Sequence, residues 1–272
     1  MVKTKRAYVL ATSFTSAAAA LLSIVSLSTD QWVNANGRFI YESTSDELSE
    51  ISYGLFTGTL IQRLGGSNVI PLYGCTCLIS ENVCGYLCNS GSDRQNDLKK
   101  LLDNQNLTYT CDMFPENKMR TKHEDKRQFI NAGVYISTIA FLGLSAIFGL
   151  ISATLSIWNT AGNPIEVVFS IYGIYIYNAI ACVASVFAMA LWGVLFGVTI
   201  MYNICIFYTI QGNMKTDNVT LGYSYWLIIP TFLLYVASII ILYLRDYFIR
   251  QEPEIRIHMA ANEKDVGGLM IF

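Results

Sequence analysis

QFINAGVYISTIAFLGLSAIFGLISATLSIWNTAGNPIEVVFSIYGIYIYNAIACVASVFAMALWGVLFGVTIMYNICIFYTIQGNM, residues 128–214, carries one formal charge, Glu166. A helix climbing about 1.5 Å per residue needs about 20 predominantly apolar residues to cross a hydrocarbon core roughly 30 Å thick. The stretch is therefore long enough for at least two membrane crossings, and Glu166 marks the turn between them.

The whole composition points the same way. Of 272 residues, 53% are apolar and only 14% charged, which moves the chain from the soluble to the membrane class. The charges gather in residues 1–6, 30–127 and 245–265, with Lys215 and Asp217 in a short connector. A net charge of −2 without a basic patch argues against nucleic-acid binding. Tyr8, Tyr135, Tyr223, Tyr225 and Tyr243 stand near the ends of apolar runs, where an aromatic belt at the bilayer surface belongs.

The expected fold is an all-α membrane protein. Its four-helix transmembrane bundle carries a small, disulfide-bearing extracellular subdomain of short β-strands between helices 1 and 2. The expected spans are 8–28, 131–157, 164–213 (with an extracellular extension) and 222–244. Between them lie the loop subdomain 29–130, a cytoplasmic turn 158–163 and an extracellular connector 214–221. Residues 1–7 form the amino terminus and 245–272 a polar cytoplasmic tail. The first window could instead be a cleaved signal peptide, with Lys3, Lys5 and Arg6 before it and Ser26 and Ser28 at a cleavage-like position. Its apolar part exceeds the usual length of about 7–15 residues, so a retained anchor is expected. Basic residues flank both ends of the set, Arg245, Arg250 and Arg256 closing it. Both termini should then be cytoplasmic, and the number of crossings even. Lys118, Arg120, Lys122, Lys126 and Arg127 oppose this from within the loop, but long loops translocate largely regardless of charge.

The third window is awkward, because 51 residues from Pro164 to Met214 exceed one crossing. It is either a hairpin or one helix that projects beyond the membrane. No Pro, Asn-Gly or Asp-Gly lies between 167 and 211, so the single long helix is expected, with its outer part at 202–209 against the loop. Asn163, Pro164 and Glu166 read as N-cap, first helical position and N3. The other reading of Glu166 is an intramembrane acid for proton or ion passage. Small residues mark helix-packing candidates: Gly193 and Gly197 as GxxxG, and Ser145, Gly149 and Ala153 at the same spacing.

The loop holds Cys75, Cys77, Cys84, Cys88 and Cys111, which read as disulfide candidates outside the cell and as a metal site inside it. Two bridges would leave one thiol over. Cys182 and Cys205 lie in apolar sequence and look like packing residues. Asn106-Leu107-Thr108 is a glycosylation sequon; Asn218-Val219-Thr220 is a second, placed in doubt by its closeness to span four. Residues 32–41 and 52–64 have strand composition with Asn36-Gly37 as a turn, and 97–107 reads as a short amphipathic helix.

Several short motifs share an order: Trp32 after span one, Tyr53-Gly54-Leu55-Phe56-x-Gly58 in the loop, Trp158-Asn159-x-x-Gly162-x-Pro164 in the inner turn, and Ser224-Tyr225-Trp226 opening span four. In these the chain resembles the clarins, a branch of the claudin and peripheral-myelin-protein-like four-span proteins. It would be a divergent member, having Leu64-Gly65 where clarins place Cys-Gly. The resemblance implies a non-enzymatic membrane organiser associated with sensory cells, synapses and the actin cytoskeleton.

Independently, the chain ends Leu269-Met270-Ile271-Phe272, whose apolar last residue, with another two before it, fits strand addition into a PDZ-type groove. His123 and His258 fall on opposite sides of the expected membrane, and no Ser-His-acid, HExxH or P-loop pattern appears. An enzyme is therefore not expected, nor a cofactor or resident metal. Nor do ionisable groups line the spans as a transporter requires; Asn131, Asn178 and Asn203 are the main polar intrusions. Expected partners are membrane lipid, membrane proteins met through the loop and helix faces, a PDZ-type protein at the tail and further copies of the chain. The expected location is the plasma membrane. The expected function is a tetraspan scaffold or adhesion-type protein, the alternative being an auxiliary subunit that modulates a channel or receptor.

Overall fold

The computed structural model describes residues 2–39, 48–64, 67–69, 72–87, 89, 91–103, 129–162, 169–201 and 214–267. Four helical stretches in it are long and apolar enough to cross a membrane: Arg6–Ser28, Ala132–Ala161, Ile171–Ile200 and Tyr223–Gln251. In chain order the elements are α1 (Val2–Ser28), β1 (Val33–Phe39), β2 (Leu48–Tyr53), β3 (Thr57–Leu64), β4 (Ser67–Val69), β5 (Leu72–Leu78), β6 (Val83–Leu87), α2 (Gly91–Leu102), β7 (Ile130–Asn131), α3 (Ala132–Ala161), α4 (Ile171–Leu195), β8 (Met214–Leu221), α5 (Tyr223–Trp226) and α6 (Ile228–Gly267). A π-helical turn, Phe196–Ile200, continues α4.

By packing, the chain divides into two compact units. The first comprises Met1–Leu21, Ala146–Cys182 and Thr231–Phe272. Four helical segments meet in it, and fully buried polar side chains from each, among them Ser16, Ser152, Asn178 and Ser238, form a layer. Ser16 Oγ donates to Asn178 Oδ1 (2.8 Å), and Asn178 Nδ2 donates to Ser152 Oγ (2.6 Å). Ser238 Oγ lies 2.7 Å from Thr15 Oγ1. Where no water can satisfy a polar group, partners on neighbouring helices must. Around this layer Ala19, Ala181 and Tyr235 form one apolar cluster, and Val9, Ile174 and Leu242 another.

The second unit comprises Leu22–Ser145 and Val183–Pro230 and contains the sheet. Its strands run in the order β7-β6-β5-β3-β2-β1-β8, every neighbouring pair antiparallel, with β4 turned onto the end of β3. Ile51, Leu60, Tyr73 and all five residues of β6 are buried, and α2 lays Leu98 on the β6 side of this core. Asn residues start α3: Asn131 Oδ1 accepts from the Val134 amide (3.1 Å) and Asn82 Oδ1 from the Gly133 amide (2.9 Å). Asn131 is thus a cap rather than an intrusion into the span.

Four expectations are corrected. Residues 214–221 are not a plain connector but strand β8, hydrogen-bonded to β1. This puts the connection between the third and fourth spans on the same side of the membrane as the long loop. Asn36-Gly37 does not turn the chain; both sit inside β1, held between β2 and β8, and two ladders outweigh a local turn signal. The short helix is Gly91–Leu102 rather than 97–107. Residues 245–267 are helical, because a helix that already exists lengthens at the cost of only one residue per added hydrogen bond. The expected outward extension of the third span at 202–213 lies outside the described residues.

Candidate functional site

The motif residues of the loop and of span four converge at the base of the sheet. Trp32 is fully buried; its indole N–H donates to the Ser26 carbonyl (2.7 Å), and its ring meets Trp192 edge-on at 4.7 Å between centroids. Gly222 donates its amide to the Trp32 carbonyl (2.9 Å), and Ser224 donates its amide to Gln31 (3.0 Å). Ser26 Oγ in turn donates to the Ser224 carbonyl (2.7 Å). These bonds fasten the end of α1 to the start of the last span, with backbone pairing that survives side-chain change.

The Tyr53-Gly54-Leu55 segment completes this base. A Cβ on Gly54 would come within 2.6 Å of Asp30 Cα, so only glycine allows the approach. Tyr53 stacks on Tyr86 at 4.3 Å. The Tyr86 hydroxyl donates to the Gly54 carbonyl (2.5 Å) and the Tyr135 hydroxyl to that of Leu55, so two buried phenols satisfy a turn that no strand pairs. Phe56 of the same segment is 52% exposed and is free of this core. The turn from β5 to β6 lifts Ile79 outward, 78% exposed.

Cys77 and Cys84 face each other across the β5–β6 ladder and form a disulfide. Cys75 is a free thiol, pushed up to about 11 by burial, with the Tyr135 hydroxyl and the Arg94 charge opposing the rise. Burial also raises Tyr73 far above the usual phenol range. Both groups stay neutral at physiological pH, so neither supplies a nucleophile or a charge. A cleft of about 320 Å³ is lined by Glu81, Asn82, Val83, Phe129, Asn131, Val198 and Thr199. Among the described residues, no three His, Cys, Asp or Glu side chains gather as a metal centre requires.

The structure places the other expected site residues as follows. Ser145 Oγ lies 3.4 Å from Ser23 Oγ, and the Ala153 carbonyl accepts from Ser13 Oγ (3.0 Å). A Cβ on Gly149 would overlap the Tyr235 hydroxyl. Gly193 lies near Tyr225, whereas nothing among the described residues comes within 4 Å of a Cβ on Gly197. Asn218 is exposed on β8. Tyr223 and Tyr243 are exposed as a belt requires, while Tyr135 and Tyr225 turn inward, Tyr135 to 2% exposure. Cys88, Cys111, Cys205, Asn106, Asn163, Pro164, Glu166 and Leu269 to Phe272 lie outside the described residues.

Sequence reasoning missed the most regular feature of the spans. Ser16 and Ser23, then Thr138, Ser145 and Ser152, then Asn178 and Ser185, then Ser224, Thr231 and Ser238 recur at seven-residue intervals, and all ten are fully buried. A seven-residue repeat keeps one stripe of a helix turned inward. The signal was present in the sequence but polar, and a search for apolar periodicity passes over it. No family model matches the sequence, and no curated protein is significantly similar to it.

Proposed function

We propose that this chain is a non-enzymatic, clarin-like tetraspan protein of the plasma membrane. It organises partner proteins at a specialised membrane such as a sensory cell, synapse or junction, with linkage to the cytoskeleton. One observation carries this reading: polar side chains buried in the spans are hydrogen-bonded within the helices, to one another as with Ser16, Asn178 and Ser152 or to carbonyls as with Ser13 and Ser156, while charges stand only at the span ends. Groups used to hold helices together are not a conduction path or a reaction centre. What the protein then offers to partners is its sheet and its tail. The shared order of Trp32, Tyr53-Gly54-Leu55-Phe56 and Ser224-Tyr225-Trp226 supports the clarin-like reading. Both termini are taken as cytoplasmic, and Leu269-Met270-Ile271-Phe272 as a strand-adding ligand for a PDZ-type groove.

The test compares affinity-purified full-length protein from native membrane with a chain lacking residues 269–272, by quantitative mass spectrometry. At least one cytoplasmic PDZ-containing partner should disappear with the tail. Recovery of a stoichiometric pore-forming subunit, independent of the tail, would replace the scaffold by an auxiliary channel subunit.

A further inference from the structure

Strand β8 carries the sequon Asn218-Val219-Thr220 in a conformation that displays it. Opposite β8, the register runs from Asn34↔Thr220 to Asn36↔Asp217, so Asn218 and Val219 together face the single residue Ala35. This is a β-bulge, and Asn218 at its head has φ +53°. Asparagine tolerates this left-handed region better than other non-glycine residues. Both Asn218 and Thr220 are exposed, the Thr220 hydroxyl donating to the Asn34 carbonyl at the surface (3.3 Å).

Closeness to span four does not bury the site. The chain is extended from Asn218 to Leu221 at about 3.3 Å per residue, which carries the asparagine roughly 10 Å along the strand from its last residue. Sidedness follows from the sheet. The Cys77–Cys84 bridge belongs to an oxidising compartment, and β8 shares its sheet through β1, β2, β3 and β5. Among the described residues β8 has no neighbour on its far side, so it ends the sheet with an unpaired backbone edge.

We propose that Asn218 carries an N-linked glycan, which stands on the open edge of the sheet and shields it from strand addition by a second copy of the chain. In this transfer Nδ2 of Asn218 attacks the anomeric carbon of a lipid-pyrophosphate-linked oligosaccharide, the donor held by the cell's transferase. The C–N bond forms, the C–O bond to pyrophosphate breaks, and the lipid pyrophosphate leaves with the bonding pair. The amide proton passes to the enzyme's base. Thr220 is the hydroxyl residue that the sequon needs. The bulge already blunts the edge, and a glycan adds bulk to it.

The test uses the full-length chain made in a glycosylating eukaryotic cell, with peptide N-glycosidase digestion, gel mobility and glycopeptide mass spectrometry. Wild type should yield a glycosylated 218 peptide. Asn218→Gly, which keeps the left-handed backbone unstrained, and Thr220→Ala should each lose one glycan's worth of mass, while Thr220→Ser should keep it. An unmodified Asn218 in the wild type overturns the proposal. The state of Asn106 in the same digest tells whether the sidedness or the site itself was at fault. Cross-linking in intact membranes tests the shield: Asn218→Gly should show at least twofold more dimer than wild type, and an unchanged distribution overturns that role. None of these readouts depends on the partner-binding function.

Discussion

Replacing Asn178 by leucine would strip Ser16 and Ser152 of the amide that joins them. Hydrogen bonds between membrane helices average about 0.6 kcal/mol, so two of them predict a loss of about 1 kcal/mol. Thermal unfolding of the purified protein in detergent measures it; a loss above about 4 kcal/mol would give Asn178 a part beyond joining helices. Cys75 makes a second prediction. Its thiol titrates at about 11 in the fold against an ordinary 9.0. Because the folded value is raised, the stabilisation is complete below pH 9 and declines as pH climbs toward 11. Alkylation of native protein should accordingly gain rate up to about pH 11, whereas the denatured chain should level off near 9. An identical pH profile for the two would show that Cys75 is in open solvent. From the sequence, these settings were legible in part. A polar side chain in the middle of a span reads as a hydrogen bond between helices, which Asn178 makes, but a single sequence does not name Ser16 and Ser152 as its partners, and Cys75 packs against a cluster gathered from distant segments.

The spans were the easiest elements to read, because lipid demands a long apolar run and nothing else supplies one. The sheet was only partly legible. Strand composition around Trp32 and Tyr53 is aromatic and β-branched, but β8 reads MKTDNVTL, which locally is a polar connector. It becomes a strand only through β1, and pairing with so distant a segment leaves no local trace. Asn36-Gly37 misled for the converse reason, a turn signal overruled by two ladders. Five cysteines in the loop left the pairing open, and adjacency of β5 and β6 decides it for Cys77 and Cys84. That bridge closes a short loop, seven residues apart in sequence. Chain entropy alone gives it about 2.5 kcal/mol, somewhat below the value of about 3 for a 15-residue loop. The double change Cys77→Ser and Cys84→Ser should therefore leave the spans folded while the sheet melts earlier, seen as faster limited proteolysis of residues 33–87 in sealed vesicles. Co-melting of the spans would show that the sheet and the helices form a single cooperative system.

At the scale of the molecule, the chain places no charge in the middle of its spans and closes its sheet with a segment from beyond the third of them. The first property was readable from composition. The second was not, and it orders events in time. Val33 pairs with Leu221, 188 residues later. At about 5–20 residues per second, β1 leaves the ribosome roughly 10–35 s before β8 does. For that interval β1 has β2 on one side only, and its other edge waits open for β8. A chain cut short before residue 214 would keep the outer edge of β1 open, so it should self-associate more than the full-length chain, which cross-linking in membranes measures.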